Sequence, residues 1–174
     1  MKRLLLLLMI TPVYAVDSVY IDQVGDVNNI TVNQSAGDNQ TAIILNQGNN
    51  NQFTIIQEGP GAHIAFIGTP PAGQSGTNFI TSIAPNNNNN ILNIFQTGSG
   101  NHTAAINLDK TTSNNNNSAT IQQAGSAPKS FVFNLSGSGI TANALQDNML
   151  TPDTASMSIQ CLTPPCSGYS YVKH

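Results

Sequence analysis

The chain has 174 residues, of which only five are Lys or Arg and eight are Asp or Glu, giving a formal charge of −3. Charged residues make up 7% of it, against about a quarter in ordinary globular domains, and Asn, Gln, Ser, Thr and Gly stand in their place. So few cations exclude the electrostatic footprint of a nucleic-acid binder and any pull toward anionic membranes, while the polar, uncharged bulk fits either a disordered chain or a β-aggregating one.

The first element is a leader. Lys2 and Arg3 precede an apolar run over 4–10, and Val13-Tyr14-Ala15 ends in a small residue, the order of a secretory signal peptide cleaved after Ala15. The run falls far short of the ~20 residues a transmembrane helix needs, so a membrane anchor is the weaker reading. Cleavage removes Lys2 and Arg3, takes the formal charge from −3 to −5, and leaves Lys110, Lys129 and Lys173 as the only cations of a secreted chain. The mature part divides into a repeat domain over 16–148 and a non-repeat tail over 149–174.

Within the repeat domain, short alternating runs fall at 19–23, 28–34, 41–47, 52–57, 63–67, 78–83, 91–96, 102–108, 118–123, 130–135 and 140–146. Between most of them lie clusters of Gly, Asn, Asp, Ser and Pro that turn the chain. Strands this short at near-constant spacing predict an all-β repeat, and nothing in the chain has a helical period. Disorder would be the better reading if the apolar residues were scattered; they are in register.

Residues two apart share a strand face. One parity collects Asp17, Val19, Ile21 and Gln23, then, after Gly25, Asn28, Ile30, Val32 and Gln34. It returns as Asn51, Phe53, Ile55, Gln57, then Gly59, Ala62, Ile64, Phe66. Again it returns as Asn90, Leu92, Ile94, Gln96, then Gly98, Asn101, Thr103, Ala105, Asn107, and as a half copy in Asn117, Ala119, Ile121, Gln123, Gly125. Each strand thus turns two apolar residues inward between polar ends, and each turn folds the next strand back over it as a β-arch. Stacked arches give a β-solenoid with an amyloid-like cross-β core, here of about five or six rungs and on the order of 25 Å tall at ~4.8 Å per rung. Amides carry donors and acceptors together, so inward Gln and Asn can stack as ladders. The expected ladder residues are Gln23, Asn28, Gln34, Asn51, Gln57, Asn90, Gln96, Asn101, Asn107 and Gln123, with Gly25, Gly59, Gly98 and Gly125 as turn glycines.

The pattern Ser/Asn-x5-Gln-x-Gly-x2-Asn-x5-Gln, with Asp17 at its first position and Gln23, Gly25, Asn28 and Gln34 at the rest, resembles the curlin repeat. The copy from Asn90 keeps Gln96, Gly98 and Asn101 and has Asn107 for the last Gln; the copy from Asn51 keeps Gln57 and Gly59. Stretches at 69–76, 85–90 and 109–116 interrupt the period as insertions. The resemblance implies a structural subunit, major or nucleating, of a curli-like extracellular amyloid fibre in adhesion and biofilm matrix. It also implies self-association, export through the periplasm with the help of curli-type outer-membrane export and nucleation proteins, and residence on the cell surface. The alternative is a non-polymerising secreted solenoid that binds a surface or matrix polysaccharide.

In the tail, Cys161-Leu-Thr-Pro-Pro-Cys166 holds both cysteines, and an exported even pair points to a disulfide over metal or redox chemistry. His63 and His102 each open a strand after a glycine turn and are expected to face outward. Asp22, Asp26 and Asp38 fit ordinary turns better than calcium sites. No nucleophile–base spacing, paired carboxylates or phosphate loop stands out, so neither enzymatic activity nor a cofactor is expected.

Overall fold

The computed structural model describes residues 17–26, 28–36, 39–67, 87–109 and 112–174. The leader expected at 1–15, the insertion at 69–76, the strand at 78–83 and Asp38 lie outside them. All the regular structure among the described residues is β. The strands, in chain order, are β1 Ser18–Val24, β2 Asn29–Ser35, β3 Thr41–Gln47, β4 Gln52–Glu58, β5 Ile64–Ile67, β6 Ile91–Thr97, β7 Thr103–Leu108, β8 Ser118–Ala124, β9 Lys129–Gly137, β10 Ile140–Gln146, β11 Asp153–Cys161 and β12 Cys166–Lys173.

Odd and even strands separate into two six-stranded parallel sheets, ordered β1-β3-β5-β7-β9-β11 and β2-β4-β6-β8-β10-β12. Parallel neighbours need a crossover, and here each crossover is the strand of the opposite sheet. The molecule is a β-solenoid. Pairing is in register along most of each sheet, as in Phe53↔Leu92, Leu92↔Ala119 and Ala119↔Ala142. A bulge after Ile140 shifts β12 relative to β10.

The core lies between the sheets, and its volume is shared between them. Down the odd sheet one column reads Ala42, Ala65, Ala104, Phe131. Down the even sheet the column facing it reads Ile55, Ile94, Ile121, Ala144, since the next inward residue, the Gln, bonds across to the start of the odd strand. All eight are buried in one cluster. Where one sheet is thick the other is thin, which keeps the gap filled from rung to rung. Phe131 and Phe133 meet edge to face at 4.9 Å, and Tyr171 covers Phe131 from the last rung.

Two expectations change. The tail was expected to leave the repeat, but β11 pairs with β9 over nine residues and β12 extends the even sheet, so 149–174 supply the sixth strand of each sheet. Alternation in Ala155-Ser-Met157-Ser-Ile159 is enough for this without any amide repeat. The second concerns the insertions at 85–90 and 109–116. Asn87 through Asn90 and Asn114 through Asn117 are corners in register with Gly48-Asn49-Asn50-Asn51. Asn50, Asn89 and Asn116 share left-handed φ values of 55°, 57° and 56°. Asn tolerates that conformation better than most residues, which is why the runs consist of it.

Candidate functional site

The polar chemistry of this molecule is concentrated in columns that run along the stack. The first is a glutamine ladder at the inward ends of the even strands. Gln34 Nε2 donates to Gln57 Oε1 at 2.9 Å, Gln57 to Gln96 at 3.0 Å, Gln96 to Gln123 at 2.9 Å and Gln123 to Gln146 at 2.8 Å. Each Nε2 places its second proton on a carbonyl of the odd sheet: Ser18, Thr41, Ile64, Thr103 and Ser130 in turn. The ladder therefore also ties the two sheets to each other. Its sense is uniform, with every amide donating toward the C-terminal end. Gln146 delivers the last proton to the Asp153 carboxylate at 2.6 Å, which also accepts the Tyr171 hydroxyl.

An asparagine ladder occupies the opposite corner. Asn28 Oδ1 accepts the backbone N–H of Asn51, Asn51 that of Asn90, Asn90 that of Asn117, and Asn117 that of Ile140. Their Nδ2 groups reach back across the corner to the carbonyls of Gly48, Asn87, Asn114 and Gly137. A further staircase runs through the turns themselves. Asp26 N–H meets Asn49 Oδ1, Asn49 N–H meets Asn88 Oδ1, Asn88 N–H meets Asn115 Oδ1, and Asn115 N–H meets Ser138 Oγ. At the other corners the chains come so close that only glycine fits: a Cβ on Gly98, at φ 106°, would lie 2.4 Å from the Gly125 carbonyl oxygen.

Of the expected ladder residues, Gln34, Gln57, Gln96 and Gln123 stand in the first column and Asn28, Asn51 and Asn90 in the second. Gln23 falls on β1 opposite Asn46. Asn101 and Asn107 do not belong to the inward row. Asn101 is exposed and accepts the Ala62 N–H, and Asn107 faces outward, donating to Asn134 at 2.6 Å. The inward residues are instead His63, just before β5, and Ala65, and His102, just before β7, with Ala104, Ile106 and Leu108. This corrects the outward placement of the histidines. It also removes Ala62, Ile64, Thr103 and Ala105 from the inward row, although Phe66 and Ala105 are buried on the other face. Asn117, placed in the inward row but not in the expected ladder, joins the second column; Gln146 and the polar column Gln40, His63, His102, Lys129 were missed as core positions, and the six-residue step from Gln34, Gln57, Gln96 and Gln123 to each member of that column was the available signal.

His63 and His102 are fully buried and their rings stack at 5.0 Å, 8° from parallel. Nε2 of His63 faces the Glu58 carbonyl at 3.2 Å and Nε2 of His102 that of Thr97 at 3.0 Å, so each carries its proton there. Burial pushes both imidazoles below their usual range. For His102 the fall is to about 4, burial being the main cause, partly offset by the Thr97 carbonyl and reinforced by His63 and Lys129. Both rings are neutral at neutral pH. Lys129, next in the column, sends its ammonium to the Thr151 carbonyl.

The two ends differ. At the first rung Val19, Tyr20 and Ile21 are 51%, 57% and 46% exposed, and the edges of β1 and β2 have no neighbour among the described strands. At the last rung the amide columns have stopped. Cys166 stands one register step past Ile140 in the asparagine column, and Lys173 one step past Gln146 in the glutamine column. Cys161 and Cys166 form a disulfide with Cα atoms 5.8 Å apart, closing the corner that asparagines close elsewhere. A groove of about 510 Å³ runs over the outer face of β7, β9 and β11, between Asn107, Asn134, Ser158 and the Asp109–Ser136 pair.

The fold and its columns define a class, a parallel β-solenoid held by paired Asn and Gln ladders. No family model matches the chain, and no curated protein or solved structure matches it either.

Proposed function

We propose that this chain is a structural subunit, major or nucleating, of a curli-like extracellular amyloid fibre in adhesion and biofilm matrix. The observation that carries the reading is the stack itself: in-register parallel rungs joined by a continuous one-way glutamine ladder, ending in a first rung whose strand edges and apolar residues are exposed. An unpaired, flat, apolar edge is a template for another chain, and identical amides stacked at the cross-β repeat are the bonding of such fibres. Growth by stacking needs no active site. Export past the leader ending at Ala15, help from curli-type export and nucleation proteins, and a place on the cell surface belong to the same reading and rest on the curlin-like motif of Gln23, Gly25, Asn28 and Gln34.

The test is incubation of the purified exported chain with an amyloid dye, followed by electron microscopy and fibre diffraction. Fibres with a ~4.8 Å repeat along their axis are expected; a chain that stays monomeric for days at high concentration ends the reading. A surface-binding solenoid is the second reading, and the outer groove favours it. Asn107 Oδ1 is buried there without a hydrogen-bond partner among the described residues, beside amides, hydroxyls and a carboxylate suited to a polysaccharide. Binding of surface glycan by the monomer, lost on Asn134→Ala, would select it.

A further inference from the structure

We infer that copies of this chain stack head to tail through a joint in which Lys173 of one copy takes over the glutamine ladder and donates to Gln34 of the next. The inference rests on the fibre reading above and specifies the joint that reading leaves open. Inside the chain the ladder has one direction, Nε2 to the Oε1 of the next Gln toward the C-terminus. At its start, Gln34 spends both amide protons on Ser18 and Gln57, and its Oε1 has no donor among the described residues. What fits above it is a donor in the same column. At its finish, Lys173 occupies the register position after Gln146. Its ammonium is a donor only. Gln146 is served elsewhere, by Asp153, so Lys173 has no call on it. Among the described residues the single ion pair is His174 with Asp147, and Lys173 is in none. An unsatisfied acceptor begins the column and an unpaired donor ends it.

The same columns decide polarity. Two first rungs face to face would run the strands antiparallel and carry Gln34 out of its own column. Two last rungs would likewise break the parallel pairing and leave Lys173 with no Gln in its column. Only head to tail continues the parallel sheets. There it brings Asp17, whose carboxylate accepts the Gln40 N–H, into the column after Asp153, with Lys173 the cation between two acids. The apolar rows also match: Val19, Ile21, Ile30 and Val32 of the first rung would cover Ala155, Met157 and Tyr171 of the last, which are half-buried in the single chain.

The experiment is a charge exchange in the full exported chain, read as elongation of preformed wild-type or variant fibres, with melting curves to show that each variant folds. Lys173→Glu and Gln34→Lys are each expected to slow the elongation of their own fibres several-fold, while the double variant Lys173→Glu with Gln34→Lys returns toward the wild-type rate. Lys173→Gln, which restores an amide donor, should grow like wild type. Rescue by the exchange is the result that a merely structural role cannot give. Wild-type rates in both single variants, or slowed growth that the double variant does not restore, overturn the joint while leaving the fibre reading standing. A wild-type chain that forms no fibres at all removes both.

Discussion

The interior rungs and the last rung are made of the same alternating strands but are bonded differently. An interior rung has a neighbour on each side, so the Gln96 amide can accept from Gln57, donate to Gln123 and still donate to the Ile64 carbonyl. Among the described residues the last rung has a neighbour on one side, and a buried amide column there would leave groups unmet. There the columns end in Lys173, which is exposed, in Asp153, which takes the Gln146 amide and the Tyr171 hydroxyl, and in Cys166, which is held by a covalent bond. Amide ladders suit positions with two neighbours, and charge and disulfide suit an end. The first rung breaks this rule by keeping Asn28 and Gln34 at a surface, as a surface meant to be covered would.

Several changes would break or sharpen that contrast. The largest effect is expected for Phe133→Ala in the interior: a fully buried ring facing a sheet already thinned to Ala119 and Ala142 leaves a cavity, at about 3–5 kcal/mol by chemical denaturation. Acid should come next. The unfolded chain takes up protons on His102 near pH 6.5 and the folded one only near about 4, so stability is full above 6.5 and drains as pH falls to about 4. His63 adds in the same direction, and the loss from His102 alone is at most about 3 kcal/mol. A melting temperature that stays flat from pH 7 to about 4 would show the imidazoles are not buried neutral. Gln96→Ala should then cost about 1–3 kcal/mol, because it strands the Gln57 donor and the Gln123 acceptor in the core, while the same change at Gln34 costs less. Thr54→Ser on the outer face is the control, within about 0.5 kcal/mol. Reducing the Cys161–Cys166 bond comes last: a short loop is worth at most about 2 kcal/mol, and hydrogen exchange should show the loss confined to β11 and β12.

The even sheet was legible in the sequence almost residue for residue, because Asn-x-apolar-x-apolar-x-Gln names its own inward face. The odd sheet was not, and the cause is one residue at a corner. Gln23 to Asn28 spans five residues around one kind of corner, whereas Gln57 to His63 and Gln96 to His102 span six around the other. Carrying the first spacing onto the second flips every side chain to the opposite face. Histidine at the inward position hid the slip further, since its burial is tolerable only once the stacked partner and the Thr97 carbonyl are in place. The last rung was not legible because β11 carries only plain alternation in Ala155, Met157 and Ile159, without the amide ends that mark the other strands.

Successive members of the glutamine ladder are separated by 23, 39, 27 and 23 residues along the chain, yet each pair meets at 2.8–3.0 Å. The pitch of the molecule is therefore set by hydrogen bonds and is indifferent to how much chain lies between rungs. A corner can lengthen by gene duplication or insertion without disturbing the stack, as long as the chain re-enters at the next Asn. Peptide cargo placed after β5 or β7 would then be carried at fixed intervals along any assembly of these chains, which makes those corners the natural places for sequence to diversify.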